Sequence, residues 1–436
     1  MAKIFKPGKP DKRRAKPRTP PQKIETLSIE RLADDGRGIA YHGGKVVFVA
    51  NALPGERINV RLLRQQKRFD EALAVEILDA SPSRRPVACA HAGDCGGCQL
   101  QHLELAAQRS YKRDRLQAVI DAQRANVEVT LLAGEAVGYR HRARLSYRAG
   151  HLGFRAAASH HLVDVEACPV LESVLEPAVM AARPLLLSTL KNLKTAELHF
   201  ACDDDGRVGL ALTLPQEVDT DWCEALKVAL QPLELHSVSS NQTRWSGGFP
   251  ALRYGGELGV SFVPGDFTQA NRPLNTEMIE QAITWLAPHA GEQIVDYFCG
   301  LGNFSFALAQ SGAHVLGLDM GDAMLERASA RADALGLSIE FARTDLFDSE
   351  NIVLRGAAKV LLDPPRAGAK ALCEALAASK ELQSLVYVSC DPASLARDLS
   401  ILSEGGFHIR QAVAVDMFPH THHLESMVWL SRPSAG

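Results

Sequence analysis

The stretch VDYFCGLGNFS, residues 295–305, reads as a strand running into a glycine-rich turn and then into a helix. Val295, Asp296 and Tyr297 complete the apolar run QIVDY (293–297), and Gly300-Leu301-Gly302 lets a ligand come close to the backbone. A strand–glycine loop–helix unit of this kind binds its ligand at the carboxyl edge of an open parallel sheet.

The surrounding sequence supplies the rest of such a sheet. HVLGLD (314–319), SIEFAR (338–343), KVLLD (359–363) and SLVYVS (384–389) are further strand-like runs, with helical stretches between successive ones except 344–358. This alternation predicts a parallel sheet wrapped by helices over residues 261–436. FHIRQAVAVDMF (407–418) and ESMVWLS (425–431) predict a closing pair with antiparallel character.

Acidic residues recur at the predicted strand ends: Asp296, Asp319, Asp345 and Asp363. Glycines followed by an acid such as Asp319 fit a nicotinamide dinucleotide as well, with Ser305 as the third small residue. The repeated carboxylates shift the balance. They suit the hydroxyls, amine and sulfonium of S-adenosyl-L-methionine and would repel a pyrophosphate.

LLDPPRAG (361–368) resembles the Asp-Pro-Pro motif of methyltransferases acting on exocyclic amines, but Arg366 stands where their aromatic residue would stack on a base. Transfer to a ring carbon with a cysteine nucleophile is the better expectation. LVYVSCDPASLARD (385–398) places Cys390 at a strand end, with Asp391 as helix cap and Pro392 in the first turn. Free amides at that helix end are expected to stabilise a thiolate against repulsion from Asp391. Uracil C5 is a poor nucleophile; a thiolate added to C6 makes C5 reactive, and a base must afterwards remove the C5 proton. Glu425, in HTHHLESM (420–427), is the candidate base.

Four of the nine cysteines stand apart. CAHAGDCGGC (89–98) gives Cys89, Cys95 and Cys98, with Gly96-Gly97 permitting a tight turn, and Cys168 in EACPV is the candidate fourth ligand. Four thiolates suit either a [4Fe–4S] cluster or tetrahedral zinc.

Further upstream, residues 24–80 alternate as strands and fit a small five-stranded barrel of OB type, with Arg61, Arg64, Lys67 and Arg68 near one connection. SPSRRP (81–86) ends that unit; a helix is expected over 99–124, then mostly strands over 138–260 with helices near 174–193 and 219–230. In YRHRARLSYR (139–148), Arg140, Arg142 and Arg144 fall on one face, as an RNA-facing stripe would. Residues 1–23 hold nine Lys or Arg against one Asp in a chain of net charge −3, and read as a basic disordered arm suited to phosphates. There is no apolar run near the ~20 residues of a membrane-spanning helix and no signal peptide, so the expectation is a cytoplasmic protein without a membrane partner.

Taken in order, FVPGDFTQAN (262–271), DYFCGLGNFS, LLDPPRAG, YVSCDPASLARDL and HTHHLESMVWL resemble the RNA uracil-5 methyltransferases over essentially all of residues 15–436. The resemblance implies a multidomain fold. Its parts would be a TRAM barrel of OB-like type (24–80), a mixed α/β central domain with an iron–sulfur loop (81–260) and a Rossmann-like class I methyltransferase domain (261–436). It further implies Cys390 as nucleophile, Glu425 as base, and Gln269, Phe298, Asn303, Asp319, Asp345 and Asp363 around S-adenosyl-L-methionine. Asp319 and Asp345 stand where relatives also carry Glu or Asn. Cys89, Cys95, Cys98 and Cys168 would hold a [4Fe–4S] cluster, zinc being the alternative. Barrel and cluster together resemble the branch that methylates one uridine in a 23S rRNA loop, with no obligate protein partner; the tRNA branch generally lacks both. A tRNA methyltransferase, methylation of another 23S rRNA uridine, and a non-catalytic iron–sulfur RNA-binding or redox protein are the alternatives.

Overall fold

The computed structural model describes residues 23–157, 159, 161–240 and 251–433. Apart from Lys23, the basic arm lies outside the described residues. The chain divides into two units, residues 1–84 and 85–436.

The first unit holds β1 (Lys23–Ser28), β2 (Arg31–Leu32), β3 (Gly38–His42), β4 (Lys45–Ala50), β5 (Arg57–Gln65) and β6 (Phe69–Asp79). They pair in the order β1-β5-β6-β4-β3-β2. Because β1 and β2 are consecutive, one bent segment pairs with both β5 and β3, which gives the five-stranded barrel expected from the sequence. Leu27, Ile29, Val47, Val49, Ile58 and Val60 fill its interior. Gly43 and Gly44 (φ 57° and 76°) make the β3–β4 turn, where a positive φ at both positions favours glycine. Arg61, Arg64, Lys67 and Arg68 are all exposed.

The second unit begins with the cysteine loop, α1 (Leu105–Ala122) and β7 (Val129–Leu132). Next come β8 (Arg142–Arg148), β9 (His151–Arg155), β10 (Leu162–Val163), α2 (Leu175–Leu190), β11 (Thr195–Cys202), β12 (Val208–Thr213), α3 (Thr220–Leu230) and β13 (Ser237–Ser240). Their sheet runs β10-β9-β8-β11-β12-β13, and α2 and α3 pack on one face through Leu175, Val179, Leu186 and Leu226. The helices lie within the limits expected for them, whereas α1 starts only at Leu105 because residues 99–104 are extended or in turns.

A two-stranded ribbon, β14 (Leu252–Tyr254) and β15 (Val260–Phe262), precedes the alternating region. That region comprises α4 (Arg272–Leu286), β16 (Gln293–Tyr297), α5 (Ser305–Gln310), β17 (His314–Asp319), α6 (Asp322–Leu335), β18 (Ile339–Arg343), β19 (Lys359–Leu362), α7 (Lys370–Ala378), β20 (Ser384–Ser389), α8 (Pro392–Glu404), β21 (His408–Val415) and β22 (Glu425–Ser431). The sheet order is β18-β17-β16-β19-β20-β22-β21-β7. β16 to β20 are parallel, β22 is antiparallel to both neighbours, and β7 runs parallel to β21 at the edge.

Alternate residues feed two cores. Val295, Tyr297, Val360, Leu362, Leu385 and Tyr387 meet α1, α7 and α8, while Ile294, Val315, Leu361, Val386 and Val388 meet α4 and α5. Burial on both faces explains why these strands read as nearly continuous apolar runs. One difference from the sequence reading concerns residues 105–132. Placed with the central part by sequence, this segment lies on the C-terminal sheet, β7 as its edge strand and Leu116 and Ile120 of α1 in its core.

Candidate active site and cysteine loop

β17 and β19 leave β16 on opposite sides, so the carboxyl end of β16 is the topological switch point where such sheets bind ligands. Phe298 turns the chain there with φ 61°, a left-handed conformation rare for a bulky residue, followed by Gly300 at 56° and Gly302 at 84°. A Cβ on Gly302 would come within 2.8 Å of Phe306 and 2.9 Å of Phe341. Only glycine fits there.

Asp319 closes this loop. Its Oδ2 accepts from Gly300 N–H (3.0 Å), and its Oδ1 accepts from Met320 and Gly321 N–H (2.7 and 3.0 Å). Three of the roughly four acceptor positions of a carboxylate are thus used, and one remains for a ligand. Asn303 exchanges two amide hydrogen bonds of 2.9 Å with buried Asn275 on α4. Phe298 packs its ring 5.8 Å from Phe347, and Asp345, exposed, accepts from Phe347 N–H at 3.0 Å. Asp345 is therefore at the rim, while Gln269, 5% exposed, is hydrogen-bonded to the Asp363 side chain.

Asp296 belongs with these residues, although the sequence reading left it out of the binding set. It is 1% exposed, its Oδ2 accepts from Ser305 Oγ, and its Oδ1 has no hydrogen-bond partner. Burial raises its carboxyl to about 7, and negative potential from Asp363 and Asp319 adds to the rise. Its place in the series of strand-end acids was the available signal.

Cys390 follows β20 directly, and Glu425 is the first residue of β22. Ser389 pairs with Ser426 in the antiparallel ladder, and Ser426 Oγ donates to the Ser389 carbonyl at 3.0 Å. The ladder closes there, and Cys390 and Glu425 are the next residues of the two segments, near enough for the Glu425 charge to act on the thiol. Glu425 is 4% exposed, and burial holds its carboxyl well above the usual range.

A backbone N–H hydrogen bond at Cys390 favours the thiolate, against larger opposing effects. Burial pushes the half-buried Cys390 thiol up to about 11, and Glu425 and Asp363 push in the same direction. Asp391 is not the opposing charge, because its carboxylate caps α8 by accepting from Ser394 N–H at 2.8 Å. Arg366 works the other way, favouring the charged forms of both Cys390 and Glu425. The residue that broke the Asp-Pro-Pro-aromatic pattern is thus the cation beside the thiol.

The four cysteines of the loop region line one cavity of about 370 Å³ together with Tyr139 and Arg140. Among the described residues, no three His, Cys, Asp or Glu side chains are grouped closely enough to hold a metal ion. Burial raises the Cys95 and Cys98 thiols and pushes Cys168 up to about 12. Gly96 and Gly97 both avoid positive φ; Gly96 is needed because a Cβ there would meet the Arg155 carbonyl at 3.0 Å. The loop thereby packs on the end of β9, tied by Gly96 N–H to that carbonyl (2.9 Å).

Arg140, Arg142 and Arg144 line a second cavity, of about 350 Å³, beside Phe267 and Thr268. The Arg142 guanidinium lies 5.0 Å from the centre of the Phe267 ring, which is 62% exposed. No helix among the described residues is long and apolar enough to cross a membrane.

Residues 255–433 match the tRNA (Uracil-5-)-methyltransferase family, and residues 22–75 match the TRAM domain. A protein of Chromohalobacter salexigens named 23S rRNA (uracil(1939)-C(5))-methyltransferase RlmD is 42% identical, covering 93% of this chain and 89% of its own. Its namesake from Shewanella halifaxensis is 38% identical, with 98% of each chain covered. Among solved structures, the Pyrococcus abyssi tRNA (uracil-54, C5)-methyltransferase in complex with S-adenosyl-L-homocysteine superposes with a TM-score of 0.73 at 25% identity, over 93% of this chain and 99% of that one. With such relatives along nearly its whole length and a fold shared from end to end, the chain belongs to the RNA uracil-5-methyltransferase family.

Proposed function

We propose that this protein methylates C5 of one uridine in 23S rRNA, the equivalent of position 1939, using S-adenosyl-L-methionine. The observation that carries the reading is a thiol, Cys390, under the charge of a buried carboxyl, Glu425, where the β20–β22 ladder ends at the carboxyl edge of a sheet whose other strand ends carry the cofactor-type acids. The RNA assignment rests on the 42% and 38% identical relatives named for that nucleotide. A tRNA substrate is the second reading, favoured by the Pyrococcus structure at 25% identity.

Gln269, Phe298, Asn303, Asp319, Asp345 and Asp363 would hold the cofactor, with Asp296 added here. Their fit is supported by the open acceptor position on Asp319, the unpartnered Oδ1 of Asp296 and the glycine-only loop at Gly302. When bound, the cofactor supplies an activated methyl group to C5.

The chain's own residues do the remainder. Cys390 gives its proton to solvent, aided by the Arg366 charge, and its sulfur bonds to C6 of the uracil as the C5=C6 π pair moves onto C5 and O4. After methylation, Glu425 accepts the C5 proton; the C5–H electron pair restores the C5=C6 double bond as the bond from C6 to Cys390 breaks. Burial holds the Glu425 carboxyl above its usual range, which makes its carboxylate a stronger base.

Cys89, Cys95, Cys98 and Cys168 would hold a [4Fe–4S] cluster; four thiols around one 370 Å³ cavity support the reading, since a cluster spaces its ligands more widely than a single ion, for which no three side chains among the described residues are grouped. A cluster there would join the loop to residue 168 beside the end of β9 and needs no part in methyl transfer. Exposed Arg61, Arg64, Lys67 and Arg68 on the barrel, and the Arg142–Phe267 pair, offer charge and a stacking surface to single-stranded or loop RNA.

The test is methyl transfer from labelled cofactor to 23S rRNA and tRNA transcripts, with mapping of the modified nucleotide. Label at the 1939-equivalent uridine is expected; label in tRNA alone would overturn the substrate assignment.

A further inference from the structure

The hairpin loop between β21 and β22 leads directly to Glu425, and one face of α1 grips it along most of its length. Lys112 is 0% exposed, and its Nζ donates to Asp416 Oδ1 at 2.6 Å and to the Phe418 carbonyl at 2.8 Å. Arg109 Nε donates to Asp416 Oδ2 at 3.1 Å. Gln108 Oε1 accepts from His420 N–H at 2.8 Å, and Arg115 Nη1 donates to the His422 carbonyl at 2.7 Å. His420 has φ 66°, a left-handed conformation that a non-glycine residue keeps only when its surroundings enforce it.

Residues 108, 109, 112 and 115 recur at helical spacing on one stripe of α1. A fully buried lysine–aspartate pair is weak support for stability, since apolar residues of similar size often serve as well; such pairs are better explained where geometry must be fixed. Here the fixed object is the loop between Val415 and Glu425, which pair with each other at the base of the hairpin.

We propose that this α1 stripe, with Lys112 at its centre, is a positioning element for Glu425, setting the carboxylate for removal of the C5 proton. The proposal rests on Glu425 being the base. Cys390 lies between β20 and α8; α1 packs on α8 through its far end, where Gln123 Nε2 donates to the Ala396 carbonyl at 3.2 Å, well beyond the stripe of 108, 109, 112 and 115, so the clamp acts on elimination by Glu425 rather than on addition by Cys390.

The test uses the full-length protein, labelled S-adenosyl-L-methionine and a 23S rRNA transcript in single turnover, following methyl-labelled covalent enzyme–RNA adduct on denaturing gels. Glu425→Gln is the reference for blocked elimination. Lys112→Met is expected to form adduct within about threefold of the unsubstituted rate and to release it about a hundredfold more slowly, the scale of a small misplacement of a reacting group. Lys112→Met/Asp416→Leu replaces the buried pair with apolar residues and keeps the test valid if the single variant unfolds. It is expected to match the original protein in thermal stability and still to release adduct slowly. Release at the unsubstituted rate from a folded variant, or formation and release slowed alike, would overturn the clamp. If Glu425→Gln itself retains no labelled adduct, the assignment of the base falls, and the clamp with it.

Discussion

Cys390 and Glu425 are the residues next beyond the Ser389–Ser426 pair that closes the β20–β22 ladder, and the Glu425 charge bears on the Cys390 thiol. Two strands separated in sequence by α8 and β21 thus bring a thiol and a buried carboxyl to one edge of the sheet. Replacing Glu425 by Gln, a near isostere of the protonated acid, should leave bond formation to C6 intact. It should slow release of the methylated product by on the order of 10²- to 10⁴-fold, the usual contribution of a general base. The measurement is the ratio of adduct to free methylated RNA over time.

Arg366 is the cation that favours the charged forms of both groups. Arg366→Met should raise the Cys390 thiol further, so that alkylation by iodoacetamide at pH 8 slows by about threefold or more. An unchanged rate, read at the Cys390 peptide by mass spectrometry, would remove Arg366 from the site.

Burial raises Asp296 from its ordinary 3.8 to about 7. Between those values the folded protein holds a proton that the unfolded chain has lost. The contribution to stability is therefore complete below pH 3.8 and is lost as pH rises through about 7. Asp363, raised by burial in the same way, adds to the trend. Asp296→Asn should flatten the fall in Tm between pH 4 and 7 measured without cofactor; a slope as steep as the original would refute the assignment.

The strands of the catalytic sheet were legible because burial on both faces makes them short apolar runs punctuated by helical segments. The Gly300–Gly302 loop, the Asp391 cap and the barrel were legible for similar local reasons. What local pattern could not supply was the partner of each element. The edge strand Val129–Leu132 joins a sheet whose other strands lie more than 160 residues further along, and nothing within four residues announces that. Nor could it show the burial of Cys390 and the charges of Glu425 and Asp363, which push the thiol up. Lys112 reads as one more basic residue on an exposed helix until its distance to Asp416 is known.

The cysteine loop yields a compositional prediction. Anaerobically purified protein should carry about four iron atoms and four acid-labile sulfides per chain, with broad visible absorbance. Cys95→Ser should abolish that absorbance and lower Tm. Stoichiometric zinc without iron, or a colourless Cys95→Ser protein of undiminished Tm, would count against a cluster that braces the loop.

The most direct test uses 23S rRNA transcript substituted with 5-fluorouridine, where fluorine at C5 cannot be removed as a proton. With S-adenosyl-L-methionine present, the account predicts a stable enzyme–RNA adduct whose digestion yields one RNA-linked peptide, joined through Cys390. Failure to trap any adduct on active enzyme, or a linkage through another residue, would contradict it.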